Sequence, residues 1–437
     1  MTPNYETALY RRILRELEAI PIVDTHEHLQ RESELPKGKD VHIGRFFIHY
    51  ASCDLVSAGM PQADMTRVQT DASLTPKDRF KLIEPWYKKA WNTGYCEALR
   101  IALRDLYGVE DFSAGTVDDL TAAMQTAIRP GFTRQVFDKA GIDYALNNPF
   151  GPKLIFNPDF GFDCFIVDMV DNFTELHIPE LAQQSGIDIL SLDDYLKVID
   201  FYFERDARST SALKVGRAYD RILLWEDIPK SAVEKTFNRF NAFIGFNDRP
   251  ERKDLMALED FILHYLCRKC GEYGLRMKFH TGIQEGNGNV ITNSRAALMA
   301  NLFLKYPKTG FDIYHISYPY QDELVTLAKN FPNVTIDFCW MWVINAAAGR
   351  RALSEMLDAV PINKIHGFGG DYIMVEGTYG HAVIARREIA RVLCEKVEEG
   401  RFGEDYAVEA GRRLLRENAI DNFGLMERRE AFRERAK

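Results

Sequence analysis

The chain alternates short apolar runs of β-leaning residues with longer stretches whose apolar positions recur every three or four residues. The short runs are residues 19–29 (AIPIVDTHEHL), 142–148 (IDYALNN), 164–170 (CFIVDMV), 212–219 (ALKVGRAY), 275–282 (LRMKFHTG), 311–317 (FDIYHIS), 333–340 (NVTIDFCW) and 364–371 (KIHGFGGD). Runs of this length, rich in Val, Ile and aromatics, predict strands. Segments between them, such as QDELVTLAKNF and GRRALSEMLDAV, have helical periodicity. Eight strands joined by helical crossovers imply parallel pairing and a closed (β/α)8 TIM barrel of the α/β class. One such barrel accounts for residues 1–437 as a single domain.

Two regions depart from this rhythm. More than a hundred residues separate the first two runs, and their aromatics and leucines fall at helical spacing. They predict a helical insertion over residues 43–135, above the barrel mouth. Trp86, Trp91 and Tyr95 in it suit either core packing or the wall of a substrate pocket. Between the fourth and fifth runs two helices replace one. The tail, AVEAGRRLLRENAIDNFGL, reads as a C-terminal amphipathic helix against the bottom or side of the barrel.

Charge and composition narrow the partners. A net charge of -9 argues against nucleic acid, which requires a basic face. No apolar run approaches a membrane span, and the charged opening MTPNYETALYRRILRELEAI has no signal-peptide core. Seven scattered cysteines do not suggest a disulfide framework, so a reducing cytoplasm is the expected setting. Cys267 and Cys270 form a C-x-x-C inside a helical stretch with no second pair, and packing explains them.

The candidate chemistry lies at strand ends. In Val23-Asp24-Thr25-His26-Glu27-His28 the side chains alternate, so His26 and His28 share one face, about 7 Å apart along the strand. His280 ends the fifth run, His315 the sixth and Asp371 the eighth. Barrel active sites are built from these C-terminal edges, and four histidines with an aspartate suit zinc, with manganese or iron as alternatives. Lys214 sits inside the fourth strand, where a bare ammonium is costly. As a carbamate it would offer an anionic oxygen able to bridge two metals; as an amine it would pair with an acid or a substrate carboxylate. Arg217, Arg221 and Arg350 are candidates to clamp a carboxylate. Tyr219 follows on the same segment as Arg217, and Gln284, Glu285 and Asn287 occupy a glycine-rich loop within reach of substrate. His42, His49, His177, His264, His366 and His381 lack the strand-end placement and read as structural.

VDTHEHL, FHTG, HISYPY, NVTIDF and FGGDY together resemble the amidohydrolase superfamily along nearly the whole chain. Within it they are most similar to the amidohydrolase domain found alone in bacteria or fused to glutamine-synthetase-like domains. Glu376 and Tyr379 after Asp371 add to that likeness. The long insertion and the CWMW at the seventh strand are similar to uronate isomerase, a sister branch, and put Trp340 with Arg217, Tyr219 and Gln284 among the substrate-facing side chains. The resemblance implies one or two divalent metals. His26, His28 and Asp371 would hold the first, His280 and His315 a second metal or the substrate. Lys214 stands where binuclear members carry a carbamylated lysine. It further implies a small-molecule substrate and, as is common for such barrels, a homo-oligomer.

The expected activity is hydrolysis of an amide-like C–N bond in a small polar, carboxylate-bearing molecule. Asp371 would move the proton and His315 or His280 would steady the developing charge. Isomerisation of a sugar acid, or decarboxylation or hydration of an aromatic or unsaturated acid, are the alternatives on the same scaffold.

Overall fold

The computed structural model describes residues 7–148, 164–242 and 251–435. All eight predicted runs contain strand. They are β1 (Ile22–Glu27), β2 (Ile142–Asn147), β3 in two pieces (Phe165–Val167 and Met169–Val170), β4 (Ala212–Val215), β5 (Arg276–Phe279), β6 (Phe311–Ile313), β7 (Val334–Asp337) and β8 (Ile365–His366). Each pairs in parallel with the next. The break in β3 falls at Asp168, whose backbone N–H still donates to Asn147 O at 3.0 Å. At the other seam Thr25 N–H donates to Phe368 O and Asp371 N–H to His26 O, at 3.2 and 2.8 Å. These bonds bring the segment after β8 back to β1.

Almost every strand residue is buried, because helices cover the outer face and side chains fill the interior. The crossover helices start where local chemistry allows. Asn345 caps the helix Ala346–Ala359 by accepting from Ala348 N–H at 3.0 Å. The two helices expected between β4 and β5 are Lys230–Ala242 and Arg252–Glu272; Cys267 and Cys270 lie buried and unbridged in the second.

Between β1 and β2 the chain forms a series of helices, among them Tyr50–Ser57, Pro76–Ala90 and Gly94–Tyr107. A buried, two-pronged ion pair from Arg45 to Glu376 (3.1 and 3.3 Å) ties this segment to the long helix Val375–Glu398. Tyr107 OH donates to the same carboxylate. Glu376 therefore anchors the segment to the barrel and does not face the strand-end histidines.

The tail is longer than one helix: Glu404–Arg412 passes through a wider turn, Arg413–Glu417, into Asn418–Phe423, and Leu425–Arg435 follows. Asn422 and Phe423 reach the base of the barrel interior. Asn422 O accepts from Arg276 Nε, its Nδ2 lies 3.0 Å from His366 Nε2, and the Phe423 ring lies 5.1 Å from that imidazole. Among the described residues no helix is long and apolar enough to cross a membrane.

Candidate metal centre

Six of the predicted residues converge at the C-terminal edge of the barrel. His26 lies in β1 and His28 just beyond it; Lys214 is in β4. His280 directly follows β5, His315 follows β6, and Asp371 lies in the loop after β8. His26 Nε2 and His28 Nε2 are 3.2 Å apart, and Asp371 Oδ1 is 3.4 and 3.3 Å from them. Ligands about 2.0–2.1 Å from one ion at tetrahedral angles stand about 3.3–3.4 Å apart, so this triangle has the size of a metal-binding face. Lys214 Nζ is 3.1 Å from His26 Nε2. On the far side of Asp371, His315 Nε2 lies 3.2 Å from His280 Nδ1 and 3.8 Å from Asp371 Oδ2.

The hydrogen bonds of the outer ring nitrogens decide which way the lone pairs point. His28 Nδ1 meets Asn148 O at 2.6 Å, His280 Nε2 meets Ile283 O at 2.9 Å, and His315 Nδ1 meets Cys339 O at 2.9 Å. A carbonyl only accepts, so each of these nitrogens carries the proton and the opposite nitrogen offers its lone pair inward. Burial pushes the imidazoles of His26 and His280 well down and that of His315 down to about 4. Neutral imidazoles with inward lone pairs 3.2 Å apart repel unless a cation lies between them. The donor set therefore fits a divalent ion.

The loop after β8 is fixed from below by β1. Asp24 Oδ1 accepts from the backbone N–H of His26 and of Gly370, both at 3.0 Å, and Glu27 Oε2 accepts from Tyr372 N–H at 2.8 Å. Burial raises both carboxyls, and the neighbouring Asp24 raises Glu27 further, so the pair retains a proton. A Cβ at Gly370 would collide with the Glu27 carboxylate, which makes glycine the residue that lets the loop approach this closely. His315, Trp340 and Asp371 all have left-handed backbone (φ 58, 64 and 59°), an uncommon conformation for residues with a side chain. The segments after β6 and β8 thus carry strain where they aim His315 and Asp371 into the site.

A cavity of about 320 Å³ opens beside the cluster. Lys214, Tyr219, His280 and Asp371 line it, together with His28. Tyr219 OH accepts from Glu285 N–H at 3.0 Å, and its ring lies 4.7 Å from that of His280.

Other predicted contacts are not formed. Gln284 and Trp340 line a second, larger cavity instead. Arg217 lines neither; its guanidinium meets Asp220 and Glu259 at 3.2 and 3.0 Å. Arg221 is held by Glu259 and Asp260, and Arg350 by Glu388. All three forks are already neutralised by acids on the crossover helices, which removes them as carboxylate clamps. Of the insertion aromatics, Tyr95 reaches the larger cavity, whereas Trp91 is exposed.

Several residues at the site escaped the sequence reading. His49 and Tyr50, from the insertion, line the metal-side cavity, and Tyr50 OH donates to Asp371 O at 2.5 Å. Burial pushes the His49 imidazole down to about 3. Glu175 and Asp220 add acidity to the wall. Asp168, at the break in β3, pairs with Lys278 at 2.9 Å and approaches His26 Nδ1 at 3.6 Å. The only sequence signal for it was an acid inside an apolar run.

The fold is a parallel α/β barrel of the TIM class, with a candidate metal centre at the C-terminal ends of its strands. The family model described as Amidohydrolase matches residues 227–425, a span that includes His280, His315 and Asp371. The chain matches this family model over a little less than half of its length. It is 26% identical over 152 residues to Protein fluG of Emericella nidulans, a match covering 35% of this chain and 18% of that protein. Its fold is similar to uronate isomerase from Thermotoga maritima (TM-score 0.77, 13% identity, 95% of this chain and 97% of that one). It is also similar to glucuronate isomerase from Caulobacter crescentus (TM-score 0.76, 16% identity, covering 97% and 95%).

Proposed function

We propose that the chain hydrolyses an amide-like C–N bond in a small polar molecule, using a divalent metal at His26, His28 and Asp371. The observation that carries this reading is the 3.2–3.4 Å triangle of His26 Nε2, His28 Nε2 and Asp371 Oδ1, with His315 facing the other oxygen of Asp371 and His280 beside His315. When bound there, the metal supplies Lewis acidity and lowers the pKa of water toward neutrality. Asp371 takes the proton from the attacking water and returns it to the leaving nitrogen. His280 Nδ1 and His315 Nε2 either hold a second ion or steady charge on the substrate oxygen. Tyr219 and Tyr50 wall the cavity.

Lys214 is placed for either of its two roles. Burial lowers its ammonium, which favours the free amine that carbon dioxide would carbamylate. Zinc is the expected metal, with manganese or iron as alternatives, and one or two ions per chain follow from whether Lys214 is a carbamate.

A second reading, isomerisation of a sugar acid, is favoured by the fold likeness to uronate isomerases over nearly the whole chain. A sugar acid needs a cation for its carboxylate. Among the described residues Lys214 is the one lysine or arginine that lines the metal-side cavity, burial lowers its ammonium, and Glu175, Asp220 and Glu285 line the cavity with it. This lining is why hydrolysis is placed first.

Reaction in oxygen-18 water separates the two. Hydrolysis fixes the label in the product acid, whereas isomerisation exchanges solvent hydrogen at carbon without fixing oxygen. Label-free product from a panel of amides, with deuterium uptake from uronates, would replace the first reading by the second.

A further inference from the structure

The four histidines of the metal centre differ in what their outer ring nitrogen meets. His28, His280 and His315 place it against backbone carbonyls. His26 Nδ1 is buried and has no hydrogen-bond partner. The carbonyls on either side of it along β1 are already engaged. Thr25 O accepts from Lys278 Nζ and Tyr314 OH at 2.9 and 3.2 Å, and His26 O accepts from Asp371 N–H at 2.8 Å.

What faces His26 Nδ1 is a carboxylate. Asp168 Oδ2 stands 3.6 Å away, just beyond hydrogen-bond length. Asp168 lies where β3 breaks, between a piece that pairs with β2 and a piece that pairs with β4. Its side chain is buried and reaches Lys278, which is buried as well. Ser211 Oγ donates to Asp168 Oδ1 at 2.6 Å, and Lys278 Nζ donates to Oδ1 and Oδ2 at 2.9 and 3.0 Å. An ammonium has three donors and no acceptor. Lys278 directs its donors at Asp168 and at Thr25 O, and so ties the carboxylate to the strand that carries His26.

We propose that Asp168 is a positioning residue of the metal centre: it accepts the Nδ1–H of His26, turns the Nε2 lone pair toward His28 and Asp371, and is itself set by Lys278 and Ser211. The proposal rests on the reading of His26 as a metal ligand. A charged acceptor holds an N–H more strongly than a neutral carbonyl does, and an imidazole so held is the better ligand. His26 is then the histidine whose donor strength depends on a side chain rather than on the backbone.

The test is zinc affinity of the purified protein, measured by competition with a chromogenic chelator, beside the urea midpoint of the metal-free form. Asp168→Asn exchanges a charged acceptor for a neutral one and should weaken zinc by about tenfold. It also strips Lys278 of its acid, so a second variant removes both charges together. In Asp168→Leu/Lys278→Met the urea midpoint should stay near that of the unaltered protein, because apolar side chains of similar volume replace a buried ion pair at little cost. Zinc should nonetheless bind about 10- to 100-fold more weakly, since the acceptor for His26 is gone. Affinity equal to that of the unaltered protein in both variants would overturn the proposal and leave the metal centre standing. So would an affinity that follows the urea midpoint, weak in Asp168→Asn and recovered in the paired variant, because Asp168 would then serve only to neutralise Lys278. No zinc uptake by the unaltered protein would remove the metal reading, and this proposal with it.

Discussion

Two clusters of histidine and aspartate occupy the barrel interior, one above the other, and they differ in what completes them. The upper one is His26, His28, His280, His315 and Asp371. The lower one is Asp312, Asp337 and His366 on the last three strands, all fully buried. In the lower cluster His366 Nδ1 lies 2.9 Å from Asp312 Oδ1 and 3.7 Å from Asp337 Oδ2, while Nε2 faces Asn422. Burial alone would lower the His366 imidazole, but Asp312 and Asp337 outweigh it and hold it up at about 9. Protein groups therefore complete the lower histidine, a carboxylate at Nδ1 and the Asn422 amide at Nε2. Above, the outer nitrogens of His28, His280 and His315 are tied to backbone carbonyls and the opposite nitrogens face inward, so the site is completed from outside. Residue type alone does not separate a ligand from a structural ion pair; the partner of the second ring nitrogen does.

The sharpest way to break this comparison is to remove one histidine from each level. His28→Ala should abolish stoichiometric metal and lower kcat by about 10³-fold or more, since a lost metal forfeits several kcal/mol of transition-state stabilisation. Its urea midpoint, measured without metal, should move little, because His28 sits at the cavity edge. His366→Ala should do the reverse. It leaves Asp312 and Asp337 buried together without their shared partner, at a cost of about 3–5 kcal/mol of stability, while metal per folded chain stays unchanged. Plasma mass spectrometry and urea unfolding on both variants check the pair. Loss of metal from the lower variant without loss of stability would make that cluster a binding site and remove the distinction.

The eight strands were legible because a barrel strand buried on both faces is a short apolar run, and helical periodicity separates such runs cleanly. The ligand set was legible for a related reason: the fold places chemistry at the C-terminal strand ends, where His280, His315 and Asp371 stand. The misplacements came from contacts distant in sequence. Arg217 and Arg221 could be seen as donors, but not that Glu259 and Asp260, about forty residues later on a helix, would neutralise them. Gln284 and Glu285 are adjacent, and which cavity each enters depends on a loop with left-handed glycines at 286 and 288. His49 carries no periodic signal, since the insertion that delivers it folds against the barrel through Arg45 and Glu376.

The two levels should also differ in their response to pH. Folding raises His366 from an ordinary value near 6.5 to about 9, so its stabilisation is complete below about 6.5 and is lost as pH rises through about 9. Asp312 is lowered to about 2; burial opposes this, and His366 with Thr335 outweighs it. Its stabilisation is present above about 3.8 and fades as pH falls through about 2. The upper level works the other way. Burial lowers His315 to about 4, so in metal-free protein the unfolded state binds more protons below about 6.5, and stability declines from there toward pH 4. Urea midpoints from pH 4 to 10 on metal-free protein should fall on both flanks, and His366→Ala should flatten the alkaline flank alone. An alkaline flank unchanged in that variant would mean His366 is not the cation of the lower cluster.

The smallest expected effect concerns how the upper site is aimed rather than what it holds. Tyr50 OH donates to the backbone oxygen of Asp371, the residue whose left-handed conformation turns its carboxylate toward His26 and His28. Tyr50→Phe deletes that one bond and keeps the ring, including its 4.3 Å stack on Trp340. A single hydrogen bond contributes about 0.5–1.5 kcal/mol, so kcat should fall by about two- to tenfold with metal content unchanged. The readout that separates aiming from folding is the contrast with Gly370→Ala, one residue earlier. There the added Cβ meets the Glu27 carboxylate, and both metal affinity and stability should fall. If Tyr50→Phe loses metal as Gly370→Ala does, the tyrosine is part of the loop's support. If kcat alone declines, the insertion contributes to the chemistry by orienting a carboxylate that β1 already holds in place.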